Sequence, residues 1–449
     1  MDESLKNKRV LVVGMARSGL AAAKLLCQLG ATAVLSDNKT EIDGIDELVA
    51  LGCEARLGEP AESLVEGCDA VVVSPAVWYN APVILKAQEL GVPVMSELDF
   101  AFRHCPGNKF AISGTNGKTT TVTLVAEMLR NAGRNAFTAG NIGIPLSHVA
   151  LEARPGDDIV IEVSSFQMEM TSEFHPHGAI LTNLTPDHLN RHGTMEVYGA
   201  LKARMVAKMD ANDFFVYNAD DAFCVRTAEA CKARKVPFSR TQKLKNGAYV
   251  QDGQVIVGGR ALCAAEEIRI PGPHNLENAL AASALAAEAG VPLAVIRHTL
   301  RTFAGVEHRM EFTRELDGVR WINDSKGTNP EATMRGVEGM AAPTVLILGG
   351  SEKGTPFDAL AQVIVANPNI RKIVTIGATA EKIETTLRAA GFTDITPCGS
   401  DFNLAIETCR KLAQPGWTVL FSPACASFDM FSDYEARGRI FKELVNKLD

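Results

Sequence analysis

Short apolar runs alternate with amphipathic, Ala- and Leu-rich segments along this 449-residue chain. Short apolar runs bounded by turn residues are typical of buried strands, and longer segments with a helical period are typical of the helices that cover them. This rhythm predicts an α/β fold built on parallel sheets. It falls into three blocks, so we predict three domains that span residues 1–106, 107–307 and 308–449.

The first block contains a candidate nucleotide site. Its first strand, "RVLVV", leads through "GMARSG" (14–19) into a helix, and its second strand ends at Asp37. The two glycines follow the spacing GxxxxG instead of GxGxxG. This turn therefore fits a nucleotide or diphosphate site and equally a tight turn that needs two glycines.

The second block opens with the clearest chemical signal. A strand, "KFAIS", runs into "GTNGKTT" (114–120) and then into a helix. In such a loop the backbone N–H groups and the helix N-terminus bind phosphate. Lys118 would contact the β- and γ-phosphates, and Thr119 or Thr120 would bind Mg²⁺. The loop predicts a nucleoside triphosphate site without identifying the base or the reaction.

Ionisable residues follow in the same block. Glu162 lies in an apolar strand, where an unpaired carboxylate is costly, so it either pairs with a metal or cation or faces solvent at a strand edge. His188 follows a strand end in "NLTPDHLNRHG", and we predict a functional role for it. Lys202 lies in a basic helical segment, and its spacing does not distinguish it from a solvated face.

The third block places polar segments at the ends of its apolar strands. These segments are "NDSK", "GGSEKG" and "SPACAS". Ligands of open parallel sheets bind beyond the carboxyl ends of the strands, so this edge is a second candidate site. Cys425 in "SPACAS" is interpreted as a small buried residue instead of a nucleophile, because no His or acid stands beside it.

Composition excludes several classes of protein. The hydrophobic content of 46% and the charged content of 22% are ordinary for a soluble globular protein. No apolar run approaches the roughly 20 residues of a membrane helix, so we expect a cytoplasmic protein that does not bind membranes. The net charge of −8 argues against nucleic-acid binding. The ten cysteines form no CxxC pair, so neither a zinc framework nor a redox motif is indicated.

Together the motifs resemble the Mur ligases, which build the peptide of bacterial cell-wall precursors. The motifs that support the resemblance occur in the same order as in the family, across nearly the whole chain: "GTNGKTT", "GNIG", "EVSSFQ", "TPDHLNRH", "YGALKAR", "NADD", "GPHNLENALAA", "EHRME", "WINDSKGTNP", "GGSEKG" and "SPACASFDMF". The resemblance implies a Rossmann-like N-terminal domain for a UDP-linked substrate and a central P-loop-type mononucleotide-binding ATPase domain. It further implies a Rossmann-like C-terminal domain for the amino acid and ATP.

The resemblance also implies a reaction. The expected activity adds D-glutamate to UDP-N-acetylmuramoyl-L-alanine through an acyl phosphate, with ATP and two Mg²⁺ ions, in a monomer. A carboxylate is a poor acylating agent, and ATP serves to activate it. Catalysis is then largely positioning and charge stabilisation.

Family roles transfer to individual positions. The expected ATP contacts are Gly114, Thr115, Asn116, Gly117, Lys118, Thr119, Thr120, Asn275, Asn278, Arg309 and Asp324. The expected metal ligands are Thr119, Glu162, His188 and Lys202, the last as a carbamylated lysine, and the expected catalytic residues are Lys118, His188 and Lys202. The expected substrate contacts are Ser18, Asp37, Ser74 and Asn141 for the uridine-linked substrate and Lys326, Thr328, Lys353, Ser427 and Tyr434 for D-glutamate.

Parts of the chain depart from the family pattern, and "GMARSG" in the first block is one of them. Tyr434 stands where the family has Phe, which keeps the ring and adds a hydroxyl. In the first block, Ala76 and Val77 follow "SP", where the family has Gly. The family pattern therefore specifies the uridine contacts less closely than the ATP and D-glutamate contacts.

Other functions fit parts of the sequence. The nearest alternative is another Mur-type ligase, or an amide ligase similar to folylpolyglutamate synthase. A nucleotide-dependent switch is disfavoured, because the third block would have no role in it. A nicotinamide dehydrogenase is suggested by the first block alone.

Overall fold

The structure, a computed structural model, describes residues 5–352 and 356–449. The chain forms two compact units, Met1–Phe303 and Ala304–Asp449. The first unit contains two sheets and the second unit contains one. Within the described ranges, no helix combines the length and apolar character that crossing a bilayer requires.

The first sheet is fully parallel. Its strands are β1 (Arg9–Val13), β2 (Thr32–Ser36), β3 (Glu54–Ala55), β4 (Ala70–Val73) and β5 (Val94–Ser96). Its helices are α1 (Arg17–Gln28), α2 (Ile45–Ala50), α3 (Pro82–Glu89) and α4 (Glu97–His104). The strand order is β3-β2-β1-β4-β5, so β2 and β3 lie on one side of β1, and β4 and β5 lie on the other. The order of the strands therefore switches sides between β1 and β4. Such a switch point forms the ligand-binding crevice of open α/β sheets.

The second sheet has nine strands. They are β6 (Asn108–Ser113), β7 (Ala136–Gly140), β8 (Asp158–Glu162), β9 (Gly178–Leu181), β10 (Phe214–Asn218), β11 (Arg234–Ser239), β12 (Ala248–Gln251), β13 (Gln254–Val257) and β14 (Arg260–Ala264). The order is β14-β13-β12-β11-β10-β9-β6-β8-β7, and only the β12-β13-β14 edge is antiparallel. Central strands such as β8 are buried on both faces, which explains their unbroken apolar sequence.

Seven helices accompany this sheet. They are α5 (Lys118–Asn131), α6 (Leu146–Glu152), α7 (Leu189–His192), α8 (Met195–Ala203), α9 (Ala222–Ala230), α10 (Pro273–Glu288) and α11 (Leu293–Thr302). Helix α10 buries a run of alanines against α5. Small side chains permit this close packing, which places Asn278 of α10 beside the N-terminus of α5.

The second unit has a six-stranded sheet. Its strands are β15 (Glu311–Leu316), β16 (Val319–Asn323), β17 (Thr344–Gly349), β18 (Ile370–Ile376), β19 (Ile395–Pro397) and β20 (Thr418–Phe421). Its helices are α12 (Pro330–Glu338), α13 (Asp358–Ala366), α14 (Ala380–Ala389), α15 (Phe402–Leu412) and α16 (Tyr434–Lys447). The order is β15-β16-β20-β17-β18-β19, with only β15 antiparallel.

The predicted α/β class with three sheet-based domains is confirmed. The sheets lie within residues 9–96, 108–264 and 311–421. The domain boundaries at residues 106 and 307 stay predictions.

Candidate active site

The phosphate loop links β6 to α5 in the second sheet. Gly114 and Gly117 have φ values of 145° and 80°, which side chains other than glycine rarely adopt. A Cβ atom on Gly114 would overlap the hydroxyl of Thr182, and one on Gly117 would overlap the side-chain oxygen of Asn278. Both glycines are therefore required by backbone conformation and by close packing.

The end of β9 supports the loop from behind. The Thr182 hydroxyl donates to the carbonyl oxygen of Asn116 at 2.6 Å. The Asn183 side chain accepts from the Asn116 N–H at 2.9 Å and donates to the Asn116 carbonyl at 3.3 Å. These bonds hold the loop in one conformation, as phosphate binding requires. The sequence analysis missed Asn183, although a polar residue after a buried strand was a usable signal.

Lys118 begins α5 and lies over the loop. Its ammonium donates to the carbonyl oxygens of Gly114 at 3.1 Å and Thr115 at 2.8 Å. Thr119 and Thr120 follow in the first turn of α5. The positive end of the helix dipole and the lysine charge thus act at the same place.

Glu162 ends β8 beside this loop. Glu162 is only 2% exposed, and β8 lies between β6 and β7, so the alternative of a solvent-facing edge position is wrong. One oxygen accepts from the Thr119 hydroxyl at 2.8 Å, and the other accepts from the Asn141 amide at 2.8 Å. These bonds and the nearby helix N-terminus stabilise the buried charge.

Lys202 of α8 is buried in the same site. It is 2% exposed, and its Nζ donates to the Gly114 carbonyl oxygen at 2.7 Å. Its Nζ also lies 4.7 Å from the ring centroid of Tyr198. Burial and, secondly, the charge of Lys118 hold the pKa of Lys202 well below its usual range. The alternative of a solvated surface lysine is therefore wrong.

His188 lies at the start of α7 with a left-handed φ of 54°. Its ring packs against Phe166 with centroids 4.7 Å apart, and its Nε2 is 3.5 Å from an oxygen of Asp187. Burial lowers the pKa of His188, which favours the neutral, metal-ligating form. The other oxygen of Asp187 is buried and has no hydrogen-bond partner among the described residues.

Residue types that can bind Mg²⁺ lie around the phosphate loop, although their His and carboxylate ligand atoms do not form a compact group of three among the described residues. Carboxylate and hydroxyl oxygens come from Thr119, Glu162 and Asp187, and a neutral imidazole comes from His188. Mg²⁺ prefers such oxygen ligands, and an unpaired buried carboxylate oxygen lacks a cation. Lys202 does not fit as an ammonium, because a cation without a free lone pair cannot ligate a metal.

Two asparagines of α10 border the phosphate loop. Asn278 accepts from the Thr121 hydroxyl at 3.4 Å and donates to the Asn275 side chain at 3.3 Å. Asn275 donates in turn to the carbonyl oxygen of Pro271 at 2.8 Å. Both predicted nucleotide contacts therefore lie beside the loop.

We expect replacement of Gly117 by alanine to raise the KM for ATP by about tenfold or more, because the loop must move to accept the Cβ. Gly133 is a matched control, since it has the same φ of 80° and an added Cβ there meets no described atom within 4 Å. Steady-state kinetics on both alanine variants measures the difference. Equal KM values for ATP in the two variants would contradict the assignment.

The predicted uridine-side residues lie at the switch point of the first sheet. Asp37 follows β2, and its carboxylate accepts from the N–H groups of Met15 at 2.7 Å and Lys39 at 3.0 Å. Ser74 follows β4 and is buried, and Ser18 lies in the first turn of α1. The structure thus gathers these residues at one edge, whereas Asn141 lies at Glu162 in the second sheet.

Asp324 follows β16 in the second unit and is buried. It accepts from the Ser422 hydroxyl at 2.6 Å and from the Met310 N–H at 3.2 Å, and Arg309 lies 3.8 Å away. Burial raises the pKa of Asp324, and the charge of Arg309 opposes this effect. Arg309 and Asp324, both predicted ATP contacts, therefore lie together.

Arg437 organises the loops that carry the predicted D-glutamate contacts. This buried side chain donates to the carbonyl oxygens of Ser325 at 2.8 Å, Cys425 at 3.0 Å and Ala426 at 3.1 Å. It thus ties the loop after β16 to the loop after β20. Burial lowers its pKa to about 10. The sequence analysis missed it, because "YEARGR" resembles a solvated helix.

The predicted D-glutamate contacts occupy these loops. Lys326 and Thr328 follow β16, Ser427 is buried after β20, and the Lys326 Nζ lies 5.6 Å from the ring centroid of Tyr434. Lys353 lies outside the described residues. Cys425 is buried, and burial raises its thiol pKa, in agreement with a structural role.

Comparison with known proteins identifies the family. Three family descriptions match in order: Mur ligase MurD-like, N-terminal domain (residues 8–96), Mur ligase middle domain (112–286), and Mur ligase, glutamate ligase domain (308–425). The UDP-N-acetylmuramoylalanine–D-glutamate ligase of Caldanaerobacter subterraneus subsp. tengcongensis is 43% identical over 99% of both chains. The ligase of the same name from Geobacillus kaustophilus is 41% identical over 99% of this chain and 98% of its own.

Solved structures agree on the fold. UDP-N-acetylmuramate-alanine ligase MurC from Thermotoga maritima aligns with a TM-score of 0.60 at 21% identity, over 98% of this chain and 99% of its own. MurF from Acinetobacter baumannii aligns with a TM-score of 0.61 at 17% identity, over 98% and 94%. The chain therefore belongs to the Mur ligase family of enzymes, which form C–N bonds.

Proposed function

We propose that this enzyme adds D-glutamate to UDP-N-acetylmuramoyl-L-alanine at the expense of ATP, in the synthesis of peptidoglycan precursors. The observation that carries this proposal is the 43% identity, over 99% of both chains, to an enzyme named UDP-N-acetylmuramoylalanine–D-glutamate ligase. The glycine-containing loop with a buried carboxylate and a buried lysine beside it supports the proposal, because phosphoryl transfer needs fixed charges of this kind.

The reaction consists of two displacements. The substrate carboxylate attacks the γ-phosphorus of ATP, which gives an acyl phosphate and ADP. The unprotonated amine of D-glutamate then attacks the acyl carbon, and inorganic phosphate leaves as the amide forms and the amine proton is lost. Both steps develop charge on phosphoryl or acyl oxygens, so fixed positive groups accelerate them.

The protein contributes position and charge. We infer that the N–H groups of the phosphate loop bind the triphosphate and that Lys118 stabilises the transferring phosphoryl group. Thr119, Glu162 and His188 would hold Mg²⁺, and two ions are proposed. Bound Mg²⁺ would neutralise phosphate charge during transfer. Asp187, with its unpaired buried oxygen, is a further candidate ligand.

The two substrates are assigned to separate strand ends. Ser18, Asp37, Ser74 and Asn141 are proposed to bind the uridine-linked substrate. The D-glutamate contacts are proposed to be Lys326, Thr328, Lys353, Ser427 and Tyr434. A cytoplasmic, monomeric enzyme belongs to the same proposal, since both ATP and nucleotide-linked sugars are cytoplasmic metabolites.

An amino-acid panel tests the proposed specificity. Purified enzyme, ATP and UDP-N-acetylmuramoyl-L-alanine are incubated with D-glutamate, L-glutamate, L-alanine or a diamino acid, and phosphate release and product mass are measured. We expect product with D-glutamate and only background with the others. Reactions without the uridine-linked substrate serve as the control. A preference for L-alanine or a diamino acid would overturn the specificity and favour another Mur-type ligase.

A further inference from the structure

We propose that Arg191 is a positioning residue that fixes the loop at residues 75–78 against the segment that carries His188. This inference rests on the proposed function, since that loop directly follows Ser74 at the uridine-side edge. We call Arg191 and its partners Glu169, Pro75 and Val77 the Arg191 clamp.

The first half of the clamp is a buried ion pair. The Nε and Nη2 atoms of Arg191 donate to the two oxygens of Glu169 at 2.9 Å and 2.6 Å. The two side chains are 8% and 5% exposed. This paired geometry fixes the plane of the guanidinium and leaves further N–H donors for other partners.

The second half reaches the first sheet. The Nη1 of Arg191 donates to the carbonyl oxygen of Pro75 at 3.3 Å, and its Nη2 donates to that of Val77 at 3.2 Å. The guanidinium carbon also lies 5.2 Å from the ring centroid of Trp78. One side chain therefore holds two backbone carbonyl groups of the loop.

The opposite side of the clamp contacts the ATP site. The guanidinium lies 4.4 Å from the ring centroid of Phe166, and that ring packs against His188 at 4.7 Å. Arg191 also belongs to the short helix α7, which begins directly after His188. Displacement of Arg191 would therefore release the 75–78 loop directly, whereas it would reach His188 only through the Phe166 ring.

Stability alone does not account for this arrangement. A buried ion pair costs desolvation and contributes little net stability compared with an apolar pair of similar volume. Four directed hydrogen bonds from one planar group do fix geometry, and a lysine could not make them. In-line phosphoryl transfer needs that accuracy, because the acceptor carboxylate must be held against the γ-phosphorus.

Two variants test the clamp. Arg191→Lys keeps a positive charge beside Glu169 but loses the planar guanidinium with its several N–H donors. The double variant Arg191→Met, Glu169→Gln removes both charges. Neither variant leaves a buried unpaired ion. We expect kcat/KM for UDP-N-acetylmuramoyl-L-alanine to fall about tenfold or more, with the KM for ATP changed only about twofold. An equally large rise in the KM for ATP, or no loss of kcat/KM for the uridine-linked substrate, would overturn the proposal.

Arg204→Ala is the matched control. Arg204 is exposed and donates to the carbonyl oxygens of Met168 at 3.1 Å and Glu169 at 3.0 Å, without a bond to the 75–78 loop among the described residues. Its removal should leave both kinetic constants within about twofold of wild type.

Hydrogen exchange of the ligand-free protein tests the clamp independently of the reaction. In both Arg191 variants, peptides that cover residues 75–81 should exchange about tenfold faster than in the wild type. In Arg204→Ala their exchange rate should equal that of the wild type. Unchanged exchange in the Arg191 variants would overturn the clamp. A wild-type enzyme that does not use UDP-N-acetylmuramoyl-L-alanine would instead overturn the proposed function, and the exchange result would still report on the clamp.

Discussion

Replacement of Lys118 by alanine is expected to lower kcat by about 10³-fold. The ammonium lies on the carbonyl oxygens of Gly114 and Thr115, at the N-terminus of α5. We propose that in this position it opposes the negative charge that develops on the transferring phosphoryl group. The substitution removes that charge but leaves the glycines and helix N-terminus that form the loop. Phosphate release dependent on D-glutamate is the measurement.

Lys109→Ala is the matched control for this prediction. Lys109 lies on β6, the strand that feeds the phosphate loop, and its Nζ is 4.9 Å from the ring centroid of Phe102. The substitution removes a lysine from the strand before the loop and leaves the loop itself unchanged, so activity should stay within about threefold of wild type. Activity of Lys118→Ala within about tenfold of wild type would refute the assigned role.

The fold was predictable because its information is local. Alternating apolar runs and amphipathic segments determine where strands and helices form, and they identify an α/β fold without any tertiary contact. The conformation of the phosphate loop was predictable for the same reason, since Gly114, Gly117 and Lys118 lie within one short segment. A strand, a glycine-containing turn and a helix start are adjacent in sequence and in space.

The environment of the ionisable residues was not predictable from the pattern. Glu162 and Lys202 each had two interpretations, and the choice depends on which strands flank β8 and on what α8 packs against. Helical spacing gives Lys202 a position on a helix but not the loop carbonyl that its Nζ contacts. Family resemblance supplied their expected roles, and tertiary packing supplied their burial.

Residues that join distant segments were missed altogether. Arg437 connects the loops after β16 and β20, and Arg191 connects residues 75–78 with Glu169. Both arginines lie in polar helices, where a charged side chain is normally solvated. Their function depends on backbone carbonyls, which any residue type provides, so sequence carries no sign of the partner.

Replacement of Lys202 by alanine is expected to lower kcat by about 10³-fold, because we propose that this lysine reacts with CO₂ to form a carbamate and release a proton. The amine is buried beside the phosphate loop, and as an ammonium it would repel Mg²⁺ and Lys118. As a carbamate it would present an anionic oxygen to a second Mg²⁺. Activity measured in CO₂-free buffer and after bicarbonate addition tests this difference.

Two further measurements separate a carbamate from a merely structural lysine. Wild-type enzyme incubated with ¹³C-bicarbonate should show a carbamate carbon signal that Lys202→Ala lacks, whereas Lys208→Ala should retain it, since Lys208 is a surface lysine paired with Glu173. Formate or acetate should partly restore activity to Lys202→Ala, because a small carboxylate can occupy the space and supply the missing oxygen. A bare amine at Lys202 in active, metal-loaded enzyme would contradict the carbamate.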